Sequence, residues 1–451
     1  MFAHSVNTQY YYCLSCYAAL ASHRDFSQQI VLFKSESRFE PVSVDPASER
    51  DAVADMKLFI CLLALVATAM SESNIELLKA SNEQFTAKMF QEVVKANSGE
   101  NVVLSAFSVL SPLAQLALAS VGESHDEILK TIGFPNDNVT KDVFADVTKQ
   151  LRSVKGVELS LANRVYIRKD AVLNDQYAAV SRDVFNSDVK NVDFSQNVPV
   201  AKEINTWVED NTNHRIKDLV DPNTLDASTA AVLVNAIYFK GKWKTPFSTK
   251  DTTDKVFYVT KDKTIKLPTM HKNADFKYGE SKELNAKLLE LPYDGDQSSL
   301  LVVLPNEIDG INSLVEKLKD SSILSKAVEN MYTNEVDVDL PKFKIETTTN
   351  LKAVLNKIGV TKLFTPGQAQ LDNLLKGQTD LYISDAVQKA YIDVNEEGAE
   401  AAAANDISLD VRAAFRSTAE FVADHPFVFT ILCKSNELKR KLNVFTGIFV
   451  R

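Results

Sequence analysis

Ten residues near the middle of the chain, Ala230 to Phe239, read Ala-Ala-Val-Leu-Val-Asn-Ala-Ile-Tyr-Phe. A strand with one face in water alternates in polarity, whereas a run apolar at nearly every position belongs to a strand buried on both faces. The fold must therefore cover a sheet on each side and keep this strand inside it. Asn235, in the middle of the run, must find hydrogen-bond partners there, because an unpaired buried amide is costly.

The elements around this strand follow from periodicity. Asn74 to Ala96 carries Phe85, Met89 and Val93 at helical spacing, and Asn101 to Leu104 reads as a short strand. Ser105 is placed to cap a helix running to Leu118. Further helices are predicted over Asp126–Ile132, Asp142–Leu151, Ala178–Phe185 and Val200–Asn211, the last with Ile204, Trp207 and Val208 on one face. Beyond Ala230 the signal turns to strands. Leu300–Leu304 is a buried run, and Glu335–Leu340 alternates as a half-exposed strand does. A helix is expected over Asn350–Ile358, strand character over Leu381–Val394, and two apolar strands at Phe427–Leu432 and Val444–Val450. A helical first half and a strand-rich second half make an α+β domain.

Near the beginning, Met56 to Ala69 has one lysine, an apolar run and small residues in an A-x-A arrangement, the grammar of a secretory signal peptide. The run is shorter than the roughly 20 residues a membrane span needs. Residues 1–55 are then an extension outside the mature protein, 56–69 the signal, and 70–451 a single domain, since no linker or repeat interrupts it. Cys13-Leu14-Ser15-Cys16 has metal spacing but no second pair to complete a zinc set. Once the leader is gone Cys433 is the only cysteine, so stability must come from the core rather than a disulfide. The net charge of -10 argues against nucleic-acid binding. Lys141, Lys149, Arg152 and Lys155 are too scattered to give a sulfated polysaccharide a strong site. Asn138-Val139-Thr140 is the one glycosylation sequon and fits a secreted product.

No catalytic constellation emerges. His125, His214, His271 and His425 lie in unrelated contexts, and there is no H-E-x-x-H, G-x-S-x-G or phosphate-binding loop. Asp424 and His425 are adjacent, and in an extended segment they are expected on opposite faces. Neither an enzyme nor a metal or cofactor site is expected. The polar stretch Asp393 to Arg416 is different. Its Glu396-Glu397-Gly398-Ala399-Glu400-Ala401-Ala402-Ala403-Ala404 segment has helix-favouring alanines. No apolar stripe accompanies them, however, and if extended it would put Ala399, Ala401 and Ala403 on one face, a strand that could slip into a sheet without displacing core volume.

The chain resembles the inhibitory serpins, in the manner of insect haemolymph antitrypsins, over about residues 74 to 451. Three segments carry the resemblance: the hinge from Val394 to Ala404, the run Val234 to Trp243, and Phe421-Val422-Ala423-Asp424-His425-Pro426-Phe427-Val428-Phe429. It implies a fold of three β-sheets and about nine helices with an exposed reactive loop, 396–416. The implied function is that of a suicide substrate: a serine protease cleaves the loop, the hinge inserts into the central sheet as a new strand, and the acyl-enzyme is trapped. Family spacing of 17 residues, with Glu396 as the first, ends at Arg412, so the reactive bond is expected at Arg412-Ala413, with Arg416 and Phe415 as runners-up. An arginine suits the acidic primary pocket of trypsin-like proteases. The partner is then a trypsin-like serine protease bound covalently, and the inhibitor a secreted, extracellular monomer without membrane contact.

Other roles are implied by local match. Ser105, Ser108, Asn235 and Gln388 correspond to the shutter beneath the sheet, and Trp243, Lys342 and Glu396 to the breach where the loop enters, with Lys342 and Glu396 as an ion pair. Gln388 stands where many serpins have a histidine, which puts a pH-sensitive hydrogen bond there in doubt, although glutamine can bridge donors and acceptors. The last residues, Asn443 to Arg451, keep the closing strand without the frequent terminal proline. The alternative is a non-inhibitory relative that acts as a binding, carrier or storage protein, and the small residues Ala399 to Ala404 favour inhibition over it.

Overall fold

The computed structural model describes residues 73–151, 156–377, 380–396, 418–434 and 441–451, all within one compact unit, Met70–Arg451. The chain is helical over 73–96 (α1), where Phe85, Met89 and Val93 are buried as their spacing predicts. Strand β1 (Val102–Leu104) leads into α2 (Ala106–Ala119), whose cap Ser105 accepts a hydrogen bond from the Ser108 amide. Helices α3 (Gly122–Ile132) and α4 (Asp137–Leu151) follow. Next come strand β2 (Val157–Arg168), α5 (Asp175–Phe185), β3 (Val189–Val192) and α6 (Asn197–Asp210). The apolar run becomes β4 (Ala231–Gly241). Strands β5 (Thr253–Thr260), β6 (Lys263–Ser281), β7 (Ala286–Pro292) and β8 (Ser298–Pro305) precede helices α7 (Ile311–Lys317) and α8 (Ser321–Glu329). The chain continues through β9 (Tyr332–Pro341), β10 (Phe343–Asn350), α9 (Leu351–Lys357) and β11 (Asp385–Val394). It ends with β12 (Ala419–Val422), β13 (Phe427–Cys433) and β14 (Leu442–Phe449).

The described strands form two hydrogen-bonded sheets. The central one has the order β10-β11-β4-β2-β3. In it β4 pairs antiparallel with β2 and parallel with β11, and it is buried along its length apart from half-buried Lys240. Alternate side chains of β4 enter two cores. Leu233, Ile237 and Phe239 join the main core, with α2. Val232, Val234, Ala236 and Tyr238 meet Val200, Ala201, Ile204 and Val208 of α6 on the other face. That is the two-sided burial an uninterrupted apolar run demands.

The other nine strands form one ladder, β1-β14-β13-β8-β7-β6-β9-β12, with β5 on β6. Two of the three sheets expected are thus continuous here, because β6 spans 19 residues and pairs with β5, β7 and β9 along different parts of its length. Gly447 explains how β14 fits between β1 and β13. A Cβ there would lie 2.2 Å from the Phe429 ring and 2.5 Å from the Val102 carbonyl oxygen, so no larger residue can take this place without shifting backbone.

Candidate functional site

Two polar clusters join β4 to β11, one halfway along and one at the end of β11. Asn235 and Gln388 are register partners across the pair, and both are fully buried. Gln388 Nε2 lies 2.7 Å from Asn235 Oδ1, 2.8 Å from the Ser105 carbonyl and 3.1 Å from Ser108 Oγ; its two hydrogens can serve two of the three at a time. Gln388 Oε1 accepts from the Ser105 amide at 3.2 Å. Ser108 Oγ donates to Asn235 Oδ1 at 2.9 Å, and Asn235 Nδ2 donates back to the Ser108 carbonyl at 2.9 Å. The N-terminus of α2 is in this way bolted to two adjacent strands. None of the four side chains titrates near neutrality, so these bonds do not depend on a proton as a histidine's would.

Asn163 completes the cluster. It sits opposite Asn235 in the β2 register, takes a hydrogen bond from Asn235 Nδ2, and reaches the Ser108 carbonyl at 3.4 Å. Sequence reasoning missed this residue. Its signal was an asparagine in the strand that must flank β4, but β2 had first to be recognised as that strand.

At the end of β11, Lys342 Nζ lies 2.8 Å from Glu396 Oε2, and Thr252 Oγ1 donates to Glu396 Oε1 at 2.8 Å. The Glu396 carbonyl accepts from the Phe247 amide at 3.1 Å. Trp243 Nε1 donates to the Asn395 carbonyl at 2.7 Å, while its ring stacks on Tyr293 with centroids 4.5 Å apart. Glu396 is only 5% exposed. Burial pushes its carboxyl up, but hydrogen bonds from Lys342, its own amide and Thr252 outweigh burial and hold it below its ordinary 4.5. A carboxyl depressed in the folded state contributes stability above its unfolded value, and that stability is lost as pH falls through the folded one. Thr252, Phe247 and Tyr293 were not legible as partners, since their approach depends on how the chain turns beyond β4.

Glu396 is the last described residue of the polar stretch until 418. The remaining hinge positions, Glu397 to Ala404, and Arg412, Ala413, Phe415 and Arg416 lie outside the described residues. The central sheet itself is described. β11 and β4 are paired residue by residue from Asp385–Val232 to Ile392–Phe239, with no strand between them. The central sheet is closed.

Two expectations need correction or refinement. Asp424 and His425 do not point apart: the chain bends there rather than running extended, and His425 Nδ1 lies 2.7 Å from Asp424 Oδ1. The buried ring is held on its other side by the Pro305 carbonyl, 2.7 Å from Nε2, a structural tie between β8 and β13. Asn138 is exposed as a sequon asparagine should be, but within the first turn of α4, which starts earlier than the periodicity predicts. Among the described residues no cluster of metal-ligating side chains is found, and no helix is long and apolar enough to cross a membrane.

Comparison with known proteins meets this geometry. A family model described as serpin (serine protease inhibitor) matches residues 80–447. Antichymotrypsin-2 of Bombyx mori is 59% identical over 82% of this chain and 97% of its own length, and antitrypsin of the same species is 54% identical over 88% and 100%. Among solved structures, Serpin48 of Tenebrio molitor, described as a highly specific serpin, superposes with a TM-score of 0.75 at 35% identity, over 83% of this chain and 98% of that one. The α+β architecture, the closed central sheet and these matches together establish that the chain belongs to the serpin family.

Proposed function

We propose that this serpin is a secreted suicide-substrate inhibitor of trypsin-like serine proteases, cleaved at Arg412-Ala413. The observation that carries the reading is the closed β4–β11 pairing with Glu396 clamped at its end, directly ahead of the small residues Ala399 to Ala404. A cut loop that turns back after β11 and enters between those strands would add an antiparallel neighbour to each, at about 1 kcal/mol for each backbone hydrogen bond gained. In this reading Ser105, Ser108, Asn235 and Gln388 are the latch that parts, Trp243, Lys342 and Glu396 mark the point of entry, and 396–416 is the reactive loop. Residues 56–69 direct secretion, 1–55 fall outside the mature protein, 70–451 are the inhibitory domain, Asn138 carries glycan, and the inhibitor works as a monomer.

The relatives' names do not decide the target: an antitrypsin and an antichymotrypsin match this chain about equally well. Specificity therefore rests on the loop itself, where Arg412 presents a cation to an acidic pocket. The test is incubation with trypsin and with chymotrypsin, followed by denaturing electrophoresis and mass spectrometry of the released peptide. A covalent complex with trypsin and a fragment beginning at Ala413 are expected. A fragment beginning at Ser417 or Arg416 moves the bond to Arg416 or Phe415, and cleavage without any complex replaces inhibition with a carrier or storage role.

A further inference from the structure

A cleft of about 620 Å³ opens between α3 and the start of α4. Its floor is apolar: Pro135 is exposed there, and Leu129 and Phe134 turn an edge of otherwise buried side chains toward it. Its rim is polar. Asp126 and Lys130 lie one helical turn apart on α3, Asp137 begins α4, and all three line the opening. His125 fixes both carboxylates, with Nδ1 3.1 Å from Asp126 Oδ1 and Nε2 2.8 Å from Asp137 Oδ1. Each carboxylate keeps a second oxygen for another donor. Asn138, the sequon asparagine, stands on the same rim and is exposed. The cap of α4 does not engage it, because Asn136 supplies that cap, its side chain accepting from the Val139 amide at 3.0 Å and its carbonyl from Thr140 Oγ1 at 2.8 Å.

Whatever is attached to Asn138 therefore starts at the mouth of the cleft. A pyranose has an apolar C–H face and a rim of hydroxyls, and N-acetylglucosamine adds an acetamide with one donor and one acceptor. An apolar floor ringed by fixed carboxylates and an ammonium is the complement of such a sugar. We propose that this cleft docks the inner N-acetylglucosamine residues of an N-linked glycan on Asn138. The ring faces lie on Pro135, Leu129 and Phe134, the hydroxyls donate to Asp126 and Asp137, and Lys130 donates to an acetamide carbonyl. The docked sugar spans from α3 to α4 and braces one helix against the other. Attachment makes a modest affinity sufficient. A tethered group meets a neighbouring site at an effective concentration on the order of millimolar, so a cleft with a Kd of about 1 mM for the free sugar is occupied about half the time once the sugar is attached. The docking rests on the reading of Asn138 as glycosylated; recognition of the sugar by the cleft does not.

The test has two arms. In the first, the full-length chain is secreted from insect cells grown with a mannosidase inhibitor, which keeps the glycan sensitive to endoglycosidase H, and the native protein is digested. Hydrolysis between the two inner sugars should be at least about two-fold slower in the wild type than in Asp126→Ala/Lys130→Ala. Both positions are exposed, and Asp137 still holds His125, so the double variant keeps its fold. Equal rates overturn the docking. In the second arm, full-length protein made in bacteria, which carries no glycan, is titrated with N,N′-diacetylchitobiose while saturation transfer to the acetyl methyl groups is followed by NMR. Saturable binding is expected, at least about three-fold weaker in the double variant. Absence of saturable transfer, or equal affinity in the two proteins, overturns the site. A secreted chain whose Asn138 peptide has the unmodified mass sinks the glycosylation reading and with it the docking, while the second arm still decides whether the cleft recognises the sugar.

Discussion

Asn235 shows how one polar side chain serves a strand that is otherwise apolar. Its amide is shared among Ser108, Gln388 and Asn163, so Asn235→Ala leaves several buried groups short of a partner, at a cost of about 1–3 kcal/mol. A lower urea midpoint would register that loss, and an unchanged midpoint would mean that water replaces the amide. At the hinge the relevant space is the core face that loop insertion would reach. Ala399 would face the core after insertion, and arginine there would bury an unpaired charge at several kcal/mol. Ala399→Arg is expected to be cleaved by trypsin at close to the wild-type rate and to trap almost none of it. Covalent complex at the wild-type yield would sink the insertion argument. Both residues could be picked out from sequence for the same reason: each breaks a local pattern, one an apolar run and the other the expectation of an apolar stripe beside helix-forming residues.

Among elements, sequence located those whose periodicity is strong. The spans assigned to α1, α2 and β4 agree with the structure to within a residue or two. Helices α3, α4, α5 and α6 begin three to five residues before the apolar repeat does. The first turns of α3, α4 and α5 are largely polar, and that of α6 carries Pro199 and an exposed Val198, so the apolar repeat does not mark these starts; local caps, such as Asn174 accepting from the Gln176 amide, or contacts with a neighbour fix them. Strands β5 and β6 were hidden because charged residues on the exposed face dilute the alternation, and β7 because Lys287 and the buried Glu290 interrupt its short apolar run. Strand β2 was missed although Leu159, Leu161, Val165 and Ile167 alternate on it, for its partners lie far away in sequence. One such neighbour contact can be tested. His125 on α3 reaches Asp137, at the start of α4, at 2.8 Å. Burial lowers the imidazole's basicity, but the Asp137 and Asp126 carboxylates outweigh it and raise the value above 6.5. A raised histidine contributes stability that is present below pH 6.5 and lost as pH rises through its folded value. His125→Gln should accordingly lower the melting temperature at pH 6 and leave it nearly unchanged at pH 8.5. Equal losses at both would assign His125 to packing alone.

At the scale of the whole molecule, stability rests on core rather than cross-links. Cys433 is fully buried in β13, and burial pushes its thiol up to about 12, so a thiol reagent at pH 8 should leave the native domain unlabelled and react at Cys433 only on unfolding. Rapid labelling of the native protein would show that β13 opens readily. The large ladder also has a history built into it. β1 pairs with β14, and the Val450 amide bonds Asn101 Oδ1, a partner 349 residues earlier. At roughly 5–20 residues per second of synthesis, β1 waits on the order of 20–70 s for the strand that covers it. Until Leu442–Phe449 has left the ribosome, β1 is without this neighbour. For that interval its exposed edge must be shielded by chaperones or by the helices already made, and a message truncated before Leu442 would yield a chain that never ends the wait.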